Sequence, residues 1–359
     1  MAALQWYDQP GSAAAPLDGR AYRLWWAHDN IMSRQASPPS GESPGTTVRN
    51  CSVERTLGIV SDAWTFLVLR EFYLGARRFG EIQTALGIPR TTLSVRLHGL
   101  VEAEMLVRQP HAHVADRSGY RLTERGLDLY LVMLALLRFG DDHLNGGRDV
   151  PLILLHRKCG QVCRPETLCS QCNRPIEALR VSYRDGPGAG RAIETRMPQR
   201  RRTGNADMFE RGRPSSVSRT LGILADRWTF LLLREFFFGV TRFDDFQSAL
   251  RIASNILADR LNHLVERGII KRILYRTAPD RYEYKLTAIG RELYLPLIQM
   301  MRWGDGWLSE QPPVILHHKD CDRDFTPVIA CDQCREPIHP RDMDYRLNYR
   351  SPREPPVAG

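Results

Sequence analysis

Apolar residues recur at helical spacing along two long stretches of the chain, with polar residues on the opposite faces. In the first stretch, Leu93, Leu97 and Leu100 fall on one side of a helix that Pro89 is suited to open. The complete pattern predicts helices over 53–62, 65–74, 79–86 and 89–103, short strands over 106–111 and 120–122, and a final helix over 124–139. This is the element order of a winged helix-turn-helix domain.

A long internal repeat divides the chain. Residues 55–72 read RTLGIVSDAWTFLVLREF, and residues 219–236, which lie 164 positions later, read RTLGILADRWTFLLLREF. The match continues as far as Gly140 and Gly304, so each copy is the size of a domain rather than of a solenoid repeat. The expected fold class is mainly α with small β-hairpin wings. It consists of two tandem winged helix-turn-helix domains, over 51–146 and 214–310, each followed by a small zinc-knuckle-like module, over 150–180 and 312–345.

The segments outside these domains differ in composition. Residues 1–50 are rich in Ala, Ser, Pro and Gly and show no sustained period, which predicts a flexible N-terminal segment. Residues 181–213 combine several glycines with consecutive arginines at 200–202, which predicts a basic linker, and residues 346–359 are expected to form a tail.

Composition limits the classes of function. The 359-residue chain has a formal net charge of +9 and a sequence pI near 9.3. This balance favours polyanionic partners such as nucleic acid, although a modest positive charge also serves solubility. The longest apolar run, 129–137, is too short to cross a bilayer, and the N-terminus has no pattern of a secretory signal. We therefore expect a cytoplasmic protein that has no membrane partner.

Each predicted recognition helix leaves small polar and basic side chains outside its apolar stripe. Such side chains can reach base edges and phosphates of double-stranded DNA, and arginines on the following hairpin can contact its backbone. The candidate DNA-binding residues are Arg90, Thr91, Thr92, Ser94, Arg96, Arg108 and Arg117 in the first copy, and Ser254, Asn255, Arg260, Arg272, Arg276 and Arg281 in the second. Because Asp259 would repel phosphate, the two copies are not expected to read identical half-sites.

Many separated positions agree, in order, with one family. They are Cys51-Ser-Val-Glu-Arg-Thr-Leu, Trp64-Thr-Phe-Leu-Val-Leu-Arg-Glu, Arg78-Phe79, Leu93-x-x-Arg96-Leu-x-x-Leu100 and Tyr120-x-Leu-Thr-x-x-Gly126. This set closely resembles the HxlR-type regulators, and the second copy matches over 217–304. The resemblance implies transcriptional control by winged helices that act as symmetric dimers through their first and last helices. Since this chain carries two copies, it implies an intramolecular pseudodimer and leaves further self-association open.

The resemblance also concerns Cys51. Some regulators of the family sense oxidants or electrophiles through a cysteine at this position. In this chain Ser52 replaces the usual proline, and Ser215 stands at the matching position of the second copy. Redox sensing at Cys51 and a plain buried or capping thiol are therefore both open.

Six of the eight cysteines form two clusters with the same spacing. His156-x2-Cys159 is followed after nine residues by Cys169-x2-Cys172, and His318-x2-Cys321 is followed after nine residues by Cys331-x2-Cys334. One imidazole and three thiolates are the ligands of a closed tetrahedral zinc site, so each cluster is expected to hold one structural Zn²⁺. Reduced cysteines that bind no metal are the alternative. His317 could replace His318, and Cys163 could be an alternative ligand or simply packed.

Two other classes of function fit some of these residues. An enzyme would use the clusters as catalytic metal sites, but a closed site leaves no position for water, and no catalytic residue is assigned. An adaptor would use its winged helices to bind protein, which the acidic Asp259 favours. The favoured function is sequence-specific DNA-binding transcriptional regulation.

Overall fold

The computed structural model describes residues 47–60, 62–109, 119–193, 213–224, 226–278 and 280–349. The expected wing residue Arg117 lies outside these ranges. So do residues 1–46 of the expected flexible segment, residues 194–212 of the expected linker and residues 350–359 of the expected tail.

The first copy has the elements of a winged helix-turn-helix, as predicted. They are β1 (Thr47–Arg49), α1 (Ser52–Ile59), α2 (Ala63–Tyr73), α3 (Phe79–Leu86), α4 (Arg90–Glu102), β2 (Leu106–Gln109), β3 (Gly119–Leu122), α5 (Glu124–Asp128) and α6 (Tyr130–His143). The strongly apolar α2 is buried along its length, and the Asp62 carboxylate caps it by accepting a hydrogen bond from Thr65 N at 3.2 Å. The predicted final helix is instead divided at Leu129, where Val132 N bonds Leu129 O in a tighter turn.

A module of short strands follows the first copy. It contains β4 (Leu152–His156), β5 (Gln161–Cys163), β6 (Glu166–Cys169), β7 (Val181–Asp185) and β8 (Arg191–Ile193). β7 and β8 lie in the expected linker, and β1 lies in the expected flexible segment, so both expectations are wrong at these positions. Backbone pairing is the reason, because β8 pairs with β1, and β7 pairs with a strand of the second copy.

The second copy repeats the winged helix-turn-helix. Its elements are α7 (Ser216–Leu224), α8 (Arg227–Phe237), α9 (Phe243–Leu250), α10 (Ser254–Glu266), β9 (Ile270–Arg276), β10 (Arg281–Leu286), α11 (Ala288–Glu292) and α12 (Tyr294–Leu308). The second module has β11 (Val314–His318), β12 (Arg323–Phe325), β13 (Pro327–Ala330) and β14 (Met343–Leu347). β14 reaches two residues into the expected tail. Within the described residues, no helix is both long enough and apolar enough to span a bilayer.

The two copies pack closely through their first and last helices, α1 against α12 and α7 against α6. Two glycines make room for this approach. A Cβ built on Gly304 would lie 2.5 Å from Ser52 O, and one built on Gly140 would lie 2.2 Å from Ser216 O. Since real Cβ atoms do not come this close to oxygen, a side chain at either position would force the helices apart.

Equivalent buried hydrogen bonds occur at both of these helix contacts, α1 with α12 and α7 with α6. Thr56 Oγ1 donates to Met300 O at 2.9 Å, and its counterpart Thr220 Oγ1 donates to Leu136 O at 2.8 Å. Ser52 Oγ donates to the carboxylate of Asp305, as Ser216 Oγ does to that of Asp141. One hydrophobic core runs through both copies, and Phe66 stacks on Phe230 where they meet, with ring centroids 6.2 Å apart.

The two cysteine modules exchange strands. β4 pairs with β5 of its own module and with β14 of the second copy, whereas β11 pairs with β12 and with β7 of the first copy. β6 and β13 pair antiparallel with each other, at the point where the two chain segments cross. Each module is therefore completed by the other copy.

Candidate nucleic-acid interface and metal clusters

The first recognition helix, α4, presents a polar N-terminal end to solvent. Leu93, Leu97 and Leu100 face the core, as the apolar spacing predicts. Arg90, Thr91 and Ser94 are exposed, and Thr92 is half-buried. The Arg90 guanidinium lies 5.3 Å from the ring centre of Phe79, which supports it at the start of the helix.

The second recognition helix, α10, has the same orientation but different exposed residues. Ser254 and Asn255 are exposed at its N-terminal end, and an exposed Asp259 follows one turn later. The amide of Asn255 can serve both as donor and as acceptor to an adenine edge, whereas the Asp259 carboxylate adds negative charge to the same surface. The surfaces of the two helices are therefore chemically different.

Arg96 and Arg260 are not exposed on the recognition helices, contrary to the prediction. Arg96 Nε lies 3.0 Å from Asp62 Oδ2, and Arg260 Nε donates to Asp226 Oδ2 at 2.7 Å. Arg260 is buried and also contacts Asp259. Both arginines lie beside the apolar stripe, close enough to the helix cap of α2 or α8 to pair with its carboxylate. In this structure they join the recognition helices to the N-terminal caps of α2 and α8.

The two wings differ in the exposed arginines that lie on their described strands. The first is the pair β2 and β3, and Arg108 is exposed on it. The second is the pair β9 and β10, and it exposes the three predicted arginines, Arg272, Arg276 and Arg281. The Arg272 guanidinium stacks 5.1 Å from the Tyr282 ring centre, so an aromatic support holds one cation of this wing.

Four ligand atoms come together at the end of β4. This cluster A consists of His156, Cys159, Cys331 and Cys334. His156 Nδ1 lies 3.5 Å from Cys159 Sγ and 3.3 Å from Cys334 Sγ, and the sulfurs of Cys159 and Cys331 are 3.9 Å apart. His156 and Cys331 are buried, and the other two residues are half-buried.

A second set of ligand atoms, cluster B, has nearly the same geometry at the end of β11. It consists of Cys169, Cys172, His318 and Cys321. His318 Nδ1 lies 3.5 Å from Cys321 Sγ and 3.3 Å from Cys172 Sγ, and the sulfurs of Cys169 and Cys321 are 3.9 Å apart. His318 is the histidine of the cluster, because His317 faces the other way and contacts Asp322 and Asp324.

The grouping of ligands differs from the prediction. The sequence spacing placed each set of four within one copy, but each cluster takes its His-x-x-Cys pair from one copy and its Cys-x-x-Cys pair from the other. The pairing of strands across the copies is the physical reason. β6 and β13, which lead into the two Cys-x-x-Cys pairs, pair with each other, and β7 and β14, which follow those pairs, lie beside the histidine strand of the other copy. The nine residues between the two ligand pairs of one copy allow the second pair to reach either its own histidine or that of the other copy.

Tight backbone turns position the side chains of both kinds of ligand pair. After Cys159 and Cys321 the chain turns at Gly160 and Asp322, which have φ of 69° and 54°, and their amides donate to the histidine carbonyls. Gln171 N also points at Cys169 Sγ, at 3.4 Å. Such N–H groups favour thiolate over thiol.

Protonation in cluster B is uneven. Burial raises the pKa of the Cys169 thiol to about 11. Desolvation acts in the same direction on Cys172, but the backbone N–H of Arg174 and the thiols of Cys169 and Cys321 outweigh it and lower the pKa of Cys172. Three cysteine sulfurs and one imidazole nitrogen together are donors suited to a cation such as Zn²⁺.

The two remaining cysteines are both buried. Cys163 lies beside Cys331 and Asp332 at the edge of cluster A. Phe325 occupies the equivalent strand position in the second module. Burial raises the pKa of Cys163 far above its usual range. Cys51 immediately precedes α1 and contacts the Arg234 guanidinium of the second copy.

The chain resembles known proteins over both copies. It matches the family model of the HxlR-like helix-turn-helix over residues 59–147 and 223–312. The HTH-type transcriptional regulator Rv3095 of Mycobacterium tuberculosis is 42% identical over 137 residues, which are 38% of this chain and 87% of the relative. The HTH-type transcriptional regulator sll1512 of Synechocystis is 38% identical over 109 residues, 30% of this chain and 81% of the relative. Among solved structures, the redox regulator HypR in its reduced form is 32% identical, with 26% of this chain and 92% of that chain covered and a TM-score of 0.25.

Proposed function

Because this chain belongs to the HxlR-like helix-turn-helix family, whose curated relatives are HTH-type transcriptional regulators, we propose that it is a sequence-specific DNA-binding regulator that acts as an intramolecular pseudodimer. One observation carries this proposal. Both copies expose the N-terminal end of a recognition helix and a basic wing, and the copies are joined through α1 with α12 and α6 with α7. The cytoplasm is the proposed location.

The division of labour within the pseudodimer follows from the differences between the copies. Arg90, Thr91 and Ser94 are the proposed base-reading residues of α4, and Ser254 and Asn255 are those of α10. Arg108 on the first wing and Arg272, Arg276 and Arg281 on the second would contact phosphates. Because the exposed residues differ, we propose that the operator consists of two unlike half-sites.

Fluorescence anisotropy with duplexes from the promoter region of the protein's own gene would test this function. We expect tight binding to one duplex and binding to a shuffled duplex that is weaker by about 10³-fold or more. Binding that does not distinguish the two duplexes would contradict sequence-specific regulation. Arg323→Ala is the control for alanine substitutions of the wing arginines. This exposed arginine lies on β12, outside both wings, so its removal should leave DNA affinity unchanged.

We further propose that clusters A and B each hold one structural Zn²⁺. The donor set supports zinc, since three sulfurs and one imidazole nitrogen close a tetrahedron and leave no position for water. The geometry supports it too. Zn–S bonds of about 2.3 Å and Zn–N bonds of about 2.0 Å at tetrahedral angles separate two sulfurs by about 3.8 Å, and sulfur from nitrogen by about 3.5 Å. Metal analysis of the purified full chain should find two zinc ions for each chain.

One feature favours a second candidate function, a protein-binding adaptor. The exposed face of α10 carries Asp259, and the second wing exposes Leu274 and Tyr275, which are 45% and 42% accessible. An apolar strip beside an exposed carboxylate suits a protein partner better than phosphate. If Asn255→Ala and Arg276→Ala leave DNA affinity unchanged, this adaptor function replaces the regulator.

Oxidant sensing at Cys51 is the proposal that follows from the family resemblance. The position of Cys51 supports it, because the thiol lies beside the buried Arg234 of the other copy, at the boundary between the copies. Cys51 is only 7% accessible, which would slow its reaction. Cys51→Ser should abolish any loss of DNA binding caused by peroxide, and an unaltered peroxide response would assign the sensing elsewhere.

A further inference from the structure

The exchange of strands gives the two metal clusters an unusual position in the molecule. In cluster A, the His-x-x-Cys turn belongs to the hairpin of β4 and β5, and the Cys-x-x-Cys turn follows β13 of the other copy. Cluster B is built the same way with the copies exchanged. Neither cluster contains more than two ligands from one copy.

Strand pairing supports this assignment independently of the cysteines. Met343 to Leu347 of β14 pair with His156 to Leu152 of β4, so the segment after Cys334 is fixed beside His156 by five pairs of residues. Val181 to Asp185 of β7 pair in the same way with His318 to Val314 of β11. A ligand set confined to one copy would require both sheets to come apart.

Ion pairs at the surface follow the same crossing. Arg157 Nη2, next to the histidine of cluster A, lies 2.8 Å from Asp344 Oδ1 of β14. Near cluster B, Arg180 contacts Asp320 and Arg184 contacts Asp324. Each of these pairs joins residues of different copies, so polar contacts as well as backbone pairing hold the crossed arrangement.

We propose that the two metal ions are cross-links between the copies, each shared by a His-x-x-Cys pair of one copy and a Cys-x-x-Cys pair of the other. This inference rests on the zinc proposed above and specifies what the zinc does. The ions join the carboxyl-terminal ends of both copies, while α1, α6, α7 and α12 join their bodies. Loss of the metal would release one of these two connections and leave the other.

The ligand sets predict a pattern of metal retention that the alternative grouping reverses. Cys159→Ser with Cys331→Ser removes two ligands from cluster A and none from cluster B, so one tightly held zinc ion should remain. Cys159→Ser with Cys169→Ser removes one ligand from each cluster, so no tightly held ion should remain. If each copy held its own ion, the first double variant would keep none and the second would keep one.

The measurement is the amount of zinc retained by the full chain against a colorimetric chelator, with native mass spectrometry to count the ions. Cys163→Ser is the matched control. It removes a buried thiol at the edge of cluster A that is not one of the four ligands, and two tightly held ions should remain. A second pair, Cys172→Ser with Cys321→Ser against Cys321→Ser with Cys331→Ser, repeats the comparison for cluster B, in case one variant fails to fold.

The outcomes separate this inference from the zinc proposal itself. The cross-copy double variants change one cysteine in each copy (Cys159 with Cys331, and Cys172 with Cys321), and the same-copy double variants change two cysteines of one copy (Cys159 with Cys169, and Cys321 with Cys331). One ion in both cross-copy variants and none in both same-copy variants supports shared sites. The reversed pattern, or no ion in either cross-copy variant, overturns the cross-links but leaves zinc binding in place if the unmodified chain holds two ions. Absence of zinc from the unmodified chain overturns both. Loss of one ion in Cys163→Ser overturns the ligand set of cluster A.

Discussion

Asp62 and Asp226 pair with each other through an antiparallel backbone bridge, although they belong to different copies of the repeat. Each carboxylate caps the helix that follows it, and each accepts an ion pair from the arginine of its own recognition helix, Arg96 or Arg260. A continuous series of polar contacts thus runs from α4 to α10. The relative position of the two recognition helices depends on this series and on the packing of the bodies.

Arg260→Ala should therefore change mainly the stability of the protein, whereas Asn255→Ala should change mainly its affinity for DNA. Removing Arg260 leaves Asp226 buried without its cation and should lower the free energy of unfolding by about 3–5 kcal/mol. Asn255 is exposed, so Asn255→Ala should change stability by about 0.5 kcal/mol or less but weaken binding to the operator by about tenfold. Urea unfolding and anisotropy measure the two effects. A stable Arg260→Ala variant that has lost DNA affinity would return Arg260 to the DNA interface.

Gly304→Ala and Gly306→Ala form a matched pair on α12. The new Cβ at position 304 would overlap Ser52 O and Thr56 Oγ1, so stability should fall by about 1–3 kcal/mol. A Cβ at position 306 meets nothing within 4 Å, and alanine is the better helix former, so stability should rise by up to about 1 kcal/mol. Urea unfolding would measure both. Equal effects of the two substitutions would contradict the close approach of α1 to α12.

Asp305→Asn should stabilise the protein more at pH 7.5 than at pH 4.5. Burial at the interface raises the pKa of the Asp305 carboxyl from 3.8 to about 6, against the opposing effects of Ser52 and Arg55. Between these values the folded state keeps a proton that the unfolded state releases, so stability falls as pH rises through this range, and the full cost remains above pH 6. Asparagine removes this cost, which amounts to about 3 kcal/mol in full, of which about 2 kcal/mol develops between pH 4.5 and pH 7.5.

Urea unfolding of the Asp305→Asn variant at the two pH values would measure this difference. Asp149→Asn is the control, because Asp149 is exposed and its substitution should have the same small effect at both values. An Asp305→Asn effect that does not change with pH would mean that the carboxyl is ionised with its ordinary affinity for protons.

Charge reversal on the second wing should weaken binding to every DNA sequence. Arg272 and Arg276 are exposed on β9, where they can neutralise phosphates and release counterions. Arg272→Glu with Arg276→Glu should reduce the slope of log affinity against log salt by about two, with a similar loss for operator and shuffled duplexes. Anisotropy titrations from low to moderate salt would measure the slope. A slope equal to that of the unmodified chain would exclude contact between this wing and phosphate.

The sequence predicted the winged helices well because hydrophobic spacing is a local property. Leu93, Leu97 and Leu100 place the inner face of α4 without any knowledge of what it packs against. The exposure of Arg96 was predicted wrongly because its partner, Asp62, lies 34 positions away in the sequence. A signal was present, since Arg and Asp recur at the matching positions of the second copy, whereas Arg90 and Thr91 are replaced there by Ser254 and Asn255.

The cysteine clusters show a different limit. Ligand type and spacing identified all eight residues that the structure brings into two sets of four. They could not show which pairs combine, because spacing reports distance along a chain and not the path that the chain takes. The exchange of β7 and β14 between copies decides the grouping, and it depends on pairing between strands far apart in sequence.

The crossed modules also constrain the order in which the molecule can mature during translation. When the ribosome has made residues 1–180, cluster A has only His156 and Cys159, and cluster B has only Cys169 and Cys172. Cluster B is completed with Cys321, but cluster A must wait for Cys334, which follows it in the chain. Until then the nascent first copy exposes an incomplete ligand cluster and the unpaired edge of β4, and another nascent chain on the same messenger could supply what is missing.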